Sequence, residues 1–250
     1  MNNLTDIHSH ILPGIDDGSS SWEESLEMLR MAENEGITTM IATPHFGMYN
    51  PEFDIELARA LVEELNTRAL EMGINVRVLL GNELYYVQGV CYNINNRRAS
   101  TMAGSSYVLV EFSESIDLDT VKSAVMEFAQ QGYSTIIAHI ERYNNIFDRK
   151  LAGVGELKEL GAYFQINSRS LAEDGKKGLF SKKSSANINA EALLNAGMVD
   201  FVATDTHNSS SRVPAMKKAV DRMISMVGAD ETEHILHDNT LALINDEYIR

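Results

Sequence analysis

Gly36-Ile37-Thr38-Thr39-Met40-Ile41-Ala42-Thr43-Pro44-His45 is the stretch on which the fold turns. A glycine closes a helical pattern, an apolar and β-branched run from Ile37 to Thr43 follows at once, and the run gives way to a proline and a histidine. The pattern before it is helical because Trp22, Leu26, Leu29 and Ala32 recur every three to four residues. Ser21 is placed as its N-cap with Glu24 three positions on, and Gly36 sits where a C′ residue belongs. The same unit recurs along the chain. Further β runs are Thr5 to His8, Val76 to Leu80, Tyr107 to Val110, Thr135 to Ala138, Ala162 to Ile166 and Asp200 to Thr204. Between them, Leu57, Leu61, Leu65 and Ala69 mark a helix from Ile55 to Met72 that ends at Gly73. Val121, Val125, Phe128 and Ala129 lead to Gly132, Leu157 and Leu160 to Gly161, and Leu193, Leu194 and Ala196 to Gly197. Seven β runs separated by helices predict a parallel sheet with right-handed crossovers. At this length an α/β protein closed into a TIM-like barrel fits better than an open doubly wound sheet. No GxGxxG or GxxxxGK[ST] loop follows a strand to support a nucleotide-binding version of the open sheet.

The 250 residues, 44% hydrophobic and 23% charged, suffice for one large domain spanning 1–250. Thirty-six acidic against 21 basic residues give a net charge of −15, and no run of Lys or Arg exceeds two. That excludes the basic face a nucleic-acid binder needs, and an anionic membrane surface would repel the chain. One cysteine, Cys91, excludes an internal disulfide framework. Without a basic and apolar leader or a long apolar run, the expectation is a cytoplasmic protein with no membrane insertion.

The ends of the β runs carry the chemistry. They close on His8 and His10, His45, Glu83, Glu111, His139, and Asp205 with His207; the sixth closes on Gln165 and Asn167, polar but weaker ligands. Chance fills six such ends with His, Asp or Glu on the order of once in 10⁵, and the C-terminal strand ends are where a βα barrel keeps its active site. Imidazoles and carboxylates without thiolates make a site for Mn²⁺, Fe²⁺, Zn²⁺ or Mg²⁺. His8 and His10 lie two apart on a strand and face one side, as do Asp205 and His207. So many ligands exceed one coordination sphere and imply two or three ions. The loop Gly14-Ile15-Asp16-Asp17-Gly18 adds a further carboxylate, with Asp17 preferred over Asp16. His234 and His237, in a polar C-terminal helical segment, are expected to face solvent. Ser168 to Ser185, with Lys176, Lys177, Lys182 and Lys183, reads as a loop or short basic helix on the rim.

Asp6-Ile7-His8-Ser9-His10, the Gly14 to Gly18 loop, Thr43-Pro44-His45, Gly81-Asn82-Glu83, His139-Ile140-Glu141-Arg142 and Asp205-Thr206-His207 together resemble the PHP metal hydrolases. More narrowly, they resemble the bacterial manganese-dependent tyrosine-protein phosphatases of capsule and exopolysaccharide loci, from Asp6 to about Pro214. The resemblance implies a single PHP domain, a distorted seven-stranded barrel holding three ions, Mn²⁺ by preference. His8, His10, Glu83 and Asp205 would hold the first ion, Glu83, Glu111 and His139 the second, and Asp17, His45 and His207 the third. Arg142 and Arg212 would bind the substrate phosphate, although Ile140 replaces the Pro of many relatives. It implies hydrolysis of phosphotyrosine by a metal-bound hydroxide, with no covalent intermediate. The implied partner is the tyrosine-rich tail of a bacterial tyrosine kinase controlling polysaccharide synthesis. Self-association into a homo-oligomer is left open.

Other readings share some of these signals. Cys91-Tyr-Asn-Ile-Asn-Asn-Arg97 has the C-x5-R spacing of a cysteine phosphatase, but it lacks the glycines that let a tight loop point N–H groups at phosphate. A small-molecule phosphatase (of histidinol phosphate or a nucleotide) or a phosphodiesterase would use the same metal site. An amidohydrolase would commonly place a lysine where Glu83, Glu111 or His139 stands. A non-enzymatic metal-binding scaffold would leave the ligand set without a use.

Overall fold

The structure, a computed structural model, describes residues 3–147, 151–172 and 184–249. Each expected β run is a strand, and two of them are followed, past a break, by a further short strand that the runs did not include. In chain order the segments are β1 Leu4–Ser9, β2 Ile37–Ala42, β3 His45–Phe46, β4 Arg77–Leu80, β5 Glu83–Tyr85, β6 Tyr107–Glu111, β7 Ser134–Ile137, β8 Tyr163–Asn167 and β9 Phe201–Ala203. The expected seven strands are thus nine segments among the described residues. Pro44, which has no N–H for the ladder, separates β2 from β3. Asn82 separates β4 from β5 and puts its side-chain amide on Pro44 O at 2.8 Å, while its Oδ1 takes the Ser100 N–H at 2.7 Å. Both interruptions fall just before a site residue, His45 and Glu83.

Every strand pair is parallel, in a three-stranded sheet β1-β2-β4 and a six-stranded sheet β3-β5-β6-β7-β8-β9. The far edges meet. Ser9 bridges Thr206 in parallel, Asp205 N donates to His8 O at 2.9 Å, and His10 N donates to Thr206 O at 2.8 Å. The buried Asp6 carboxylate adds to this seam by accepting from the Thr204 N–H at 2.9 Å and from the Thr204 hydroxyl. The architecture is mixed α/β, with a parallel sheet curled on itself.

Both sheet faces are buried, as parallel strands require. Consecutive residues divide between two apolar clusters: Met40, Val108, Ile137 and Val202 join the one packed under the helices, and Ile41, Leu109, Ile136 and Ala203 the other, with Leu243 and Ile249 from the C-terminal end. The helices are α1 Trp22–Asn34, α2 Ile55–Glu71, α3 Cys91–Asn95, α4 Leu118–Gln130, α5 Ala152–Glu159, α6 Ser168–Ala172, α7 Ser185–Asn195, α8 Lys217–Val227, α9 Ala229–Glu233 and α10 Asn239–Ile244. Ser21 caps α1 through the Glu24 N–H, as its spacing predicts. On α2 the buried stripe is Ile55, Ala58, Leu65 and Ala69, with Leu61 partly buried; Leu57 faces solvent. It lies two residues past Ile55, on the far side of a 3.6-residue turn. Ala129, Leu160 and Ala196 are likewise exposed at their helix ends.

The ends of the Ser168 to Ser185 stretch belong to α6 and α7, so it is not one loop; its four lysines lie outside the described residues. No described helix is long and apolar enough to cross a membrane.

Candidate metal centre

Past the C-terminal ends of the strands, apolar alternation gives way to converging donors. The loop after β1 shows how local sequence sets their positions. Asp16 Oδ1 accepts the Gly18 N–H at 2.9 Å, closing an Asx turn, and Ser19 N returns to His10 O at 3.0 Å. Gly18 runs so close to β1 that a Cβ there would stand 2.1 Å from His10 O. This turn points Asp16 inward, where Oδ2 meets His10 Nδ1 at 2.8 Å and the His45 N–H at 3.1 Å. Asp17 points outward, its side chain 64% exposed, with Oδ1 3.4 Å from His45 Nε2 and 3.6 Å from His207 Nε2.

Three histidines are oriented the same way. His8 Nδ1 faces Gln165 Oε1 at 3.1 Å, His10 Nδ1 faces the Asp16 carboxylate, and His207 Nδ1 faces Asp205 O at 3.0 Å. Each partner is an acceptor, so the proton belongs on Nδ1 and the Nε2 lone pair points into the centre. The Gln165 oxygen is fixed independently: it also accepts the His139 N–H at 2.9 Å, and its Nε2 donates to Asn167 Oδ1. His8 Nε2 and His10 Nε2 consequently meet at 3.3 Å, with Glu83 Oε2 3.3 and 3.2 Å from them.

Glu83 is the hub. Its Oε2 also lies 3.2 Å from His45 Nδ1, and its Oε1 accepts from or faces His139 Nε2 at 2.8 Å. Glu111 Oε1 lies 3.0 Å from His45 Nδ1. Three sets of donor atoms fall within 4.8 Å of one another: His8, His10 and Asp205; His45, Glu83 and Glu111; and His10, Asp17, His45 and His207. The nine residues expected from the strand ends and the Asp17 loop are therefore brought to one centre. Two of these sets overlap the implied groups, His8, His10 and Asp205 in one and Asp17, His45 and His207 in another; the third puts His45 with Glu83 and Glu111, and His139 meets the centre at Glu83 Oε1 and beside the His8 ring.

Arg142 and Arg212 converge on Asp205. Arg142 Nη2 is 2.8 Å from Oδ2 and Arg212 Nη2 is 2.8 Å from Oδ1, and Asn167 Nδ2 donates to Oδ2 at 2.8 Å. Arg212 is aimed by a short return in which Asn208 Oδ1 accepts the N–H groups of Ser210, Ser211 and Arg212. His139 and Asp205 sit at φ 33° and 51°, a left-handed conformation costly for residues with a Cβ. Two of the seven described non-glycine residues with positive φ are thus site residues. With Ile140 in place of Pro, Ile140–Arg142 is a 3-10 turn with Ile140 buried.

The electrostatics call for cations. Burial disfavours charge on His10, yet the Asp16 and Glu83 carboxylates override it and raise the ring to about 9. Burial, then the charge of His10, brings His207 down to about 3. Burial and the Glu83 charge raise Glu111. His45 Nδ1 and Glu111 Oε1, buried and 3.0 Å apart, face each other without a well-aligned hydrogen bond. Aligned imidazole lone pairs, clustered carboxylates and buried atoms left without an aligned hydrogen bond fit divalent ions of the hard-to-borderline kind.

The centre opens into a cavity of about 320 Å³, lined by Asp17, His45, Tyr49, Glu83, Arg142 and Arg212 among others. A larger cleft, about 900 Å³, holds Cys91. There the thiol is buried at the start of α3 and donates to Glu127 Oε1 at 3.1 Å; burial and that carboxylate push it up to about 11. Arg97 does not line this cleft. His234 and His237 lie at the surface against Asp238, as expected, in a π-helical turn.

Other contributors had a different role in the sequence reading or none. Gln165 and Asn167, read as weaker ligands at the sixth strand end, act by orienting His8 and Asp205. Tyr143 OH, four residues past His139, donates to or accepts from His139 Nδ1 at 3.3 Å while taking the Phe112 N–H at 3.0 Å. Asp16, passed over for Asp17, orients His10.

A curled parallel α/β sheet with a donor centre at its strand ends is the build of the barrel-like metal hydrolases. A phosphotriesterase homology protein from Escherichia coli shares that fold at TM-score 0.59 and 10% identity, covering 97% of this chain and 99% of that one. The chain belongs to the capsular polysaccharide synthesis CpsB/CapC family, whose model matches residues 4–245. It is 32% identical over 252 residues to tyrosine-protein phosphatase CpsB of Streptococcus pneumoniae, covering 98% of this chain and 100% of the relative. It is 32% identical over 248 residues to tyrosine-protein phosphatase YwqE of Bacillus subtilis, covering 98% and 93%. A solved structure from work on YwqE and CpsB, described as unique metal-dependent tyrosine phosphatases, matches at TM-score 0.86 and 30% identity over 98% of this chain and 96% of that one.

Proposed function

We propose that this chain is a metal-dependent tyrosine-protein phosphatase of capsule or exopolysaccharide synthesis, working as one PHP domain over residues 1–250. The nine strand segments read as seven βα units of a distorted barrel, two of them broken. His8, His10, Asp17, His45, Glu83, Glu111, His139, Asp205 and His207 are the proposed ligands of two or three divalent ions, manganese by preference. The observation that carries this reading is the common orientation of His8, His10 and His207, each with Nδ1 held by an acceptor and Nε2 turned inward. Five carboxylates (Asp16, Asp17, Glu83, Glu111, Asp205) against two arginines leave a deficit of about three positive charges, which two divalent ions more than offset.

Bound ions would supply Lewis-acid activation of water and neutralisation of phosphoryl oxygens. The chain's own groups do the rest. Arg142 and Arg212, each about one-third exposed in the cavity, present planar N–H pairs to the equatorial oxygens. Asp205 holds the two guanidiniums on one spot. Asp16, Gln165 and the Asp205 carbonyl keep the imidazoles in one tautomer. A phenolate, with its pKa of about 10, departs without a strong general acid. The proposed substrate is a phosphotyrosine protein in the cytoplasm, the tyrosine-rich tail of a bacterial tyrosine kinase.

Chelator-stripped protein refilled with Mn²⁺ is assayed for phosphate release from a phosphotyrosine peptide, histidinol phosphate and a nucleoside monophosphate. The expected order puts the peptide first by kcat/KM. Turnover of the small esters with none of the peptide would move the reading to a small-molecule phosphatase.

A further inference from the structure

Arginines and ions account for recognition of a phosphate, whatever alcohol it esterifies; the cavity mouth must account for the ring. Of Tyr49, Phe112 and Tyr143, the Tyr and Phe residues among the described residues of the cavity wall, two are committed inward. Phe112 and Tyr143 are 3% and 1% exposed, stacked edge-on against each other at 5.9 Å, with Tyr86 beside Phe112 and His139 beside Tyr143. Tyr49 is 58% exposed. Its ring is held by a tilted contact with His45 at 5.3 Å and edge-on by Tyr85 at 5.0 Å.

Its carrier is a two-residue turn, Met48-Tyr49, between bridged Gly47 and Asn50. Asn50 N donates to Gly47 O at 3.1 Å, and Asn50 Nδ2 donates to Ile15 O at 2.9 Å, tying the turn to the loop of Asp16 and Asp17. Gly47 takes φ +104°, a conformation that residues with a Cβ rarely adopt, and sits in van der Waals contact with Tyr85. The ring is thereby fixed relative to the centre. An exposed aromatic pinned at the lip of a charged cavity incurs little ordering cost on binding.

We infer that Tyr49 selects aryl phosphate esters by stacking its open ring on the phenol ring of a substrate whose phosphate lies between Arg142 and Arg212. The inference rests on the phosphatase reading above and adds the origin of its preference for tyrosine. Alkyl esters such as phosphoserine reach the same arginines and gain nothing from Tyr49. Stacked aromatic pairs contribute about three- to tenfold in affinity beyond their buried area.

The test is calorimetric titration of Mn²⁺-loaded protein with phenylphosphonate and with methylphosphonate, neither of which turns over. The wild type is expected to prefer the phenyl compound by about tenfold. Tyr49→Phe keeps the preference, whereas Tyr49→Ala and Tyr49→Leu lose most of it with methylphosphonate affinity unchanged. The inference is overturned by an unchanged phenyl preference in Tyr49→Ala, or by equal loss of both ligands in both variants, which would make Tyr49 a prop for the turn. Absence of any phenyl preference in a wild type that dephosphorylates the peptide would overturn it and leave the phosphatase reading standing. A wild type that binds neither phosphonate and leaves the peptide intact would bring down both.

Discussion

Cys91 and Glu83 sit in two separate hollows of the molecule, and the hollows are built on opposite plans. The larger surrounds a cysteine with a phosphatase-like spacing to Arg97, yet the carboxylate that meets the thiol is engaged in structural contacts. Glu127 there accepts from Tyr86 OH, Gly89 N and Cys91 Sγ, so its capacity is spent on holding the wall together. The smaller surrounds a carboxylate with four imidazole nitrogens within 3.3 Å, and on His8 and His10 the other ring nitrogen is already engaged. Space and motif favour the first hollow; orientation favours the second. What marks a reactive centre here is that groups are held in place by contacts on one side and left unsatisfied on the other.

The sharpest way to break this contrast is to remove a ligand. His8→Ala is expected to lower Mn²⁺-supported phosphate release by at least about a thousandfold, as chelation does, since both abolish activation of the attacking water. Steady-state assay with and without added Mn²⁺ checks it; more than a tenth of wild-type activity would place the chemistry elsewhere.

The arginines come next. Arg212→Ala should cost about 10²- to 10³-fold in kcat/KM, the scale for losing a donor to developing charge, with bound metal unchanged. Arg142→Lys should recover little, because an ammonium cannot reproduce the planar pair of N–H groups. A third test sharpens the role of the supporting contacts. Asp16→Asn and Gln165→Leu keep every proposed ligand but loosen the His10 and His8 rings, so Mn²⁺ affinity should fall about 10- to 100-fold by equilibrium titration.

The smallest effects belong to the other hollow. Cys91→Ser should leave kcat/KM within about twofold. The thiol itself should be nearly unreactive at ordinary pH: carried by burial and Glu127 from 9.0 to about 11, it holds about a hundredth of the usual thiolate at pH 8. Iodoacetamide labelling should therefore rise tenfold per pH unit and level off only above about 11. Rapid labelling at pH 7 with loss of activity would reverse the assignment of the two hollows.

The period of the chain made the α/β architecture legible, because α1, α2, α4, α5 and α7 each run to a glycine and the next strand begins within a few residues. The ligand candidates were legible for a related reason. Strand ends are fixed by that period, and residues two apart on a strand, such as His8 and His10, must share a face. Contacts that depend on loop conformation were not. Whether Asp16 or Asp17 turns inward depends on the Gly18 N–H closing an Asx turn, and nothing in an Asp-Asp pair distinguishes them. Pairing His45 with Glu83 and Glu111 required the breaks at Pro44 and Asn82, which start two short strands in register after longer ones have ended. Tyr49 stands on a two-residue turn outside both periods. Leu57 shows the converse: apolar residues at helical spacing fix a stripe only to within one turn, and the stripe that packs passes through Ala58.

The account rests on oriented imidazoles holding divalent ions at the strand ends. Equilibrium dialysis of the full chain against Mn²⁺, with metal counted by elemental analysis, tests that without reference to any substrate. About two or three ions per chain with saturable binding, falling by at least one in His10→Ala, is the predicted result. Less than one ion per wild-type chain, or equal content in wild type and His10→Ala, would contradict it.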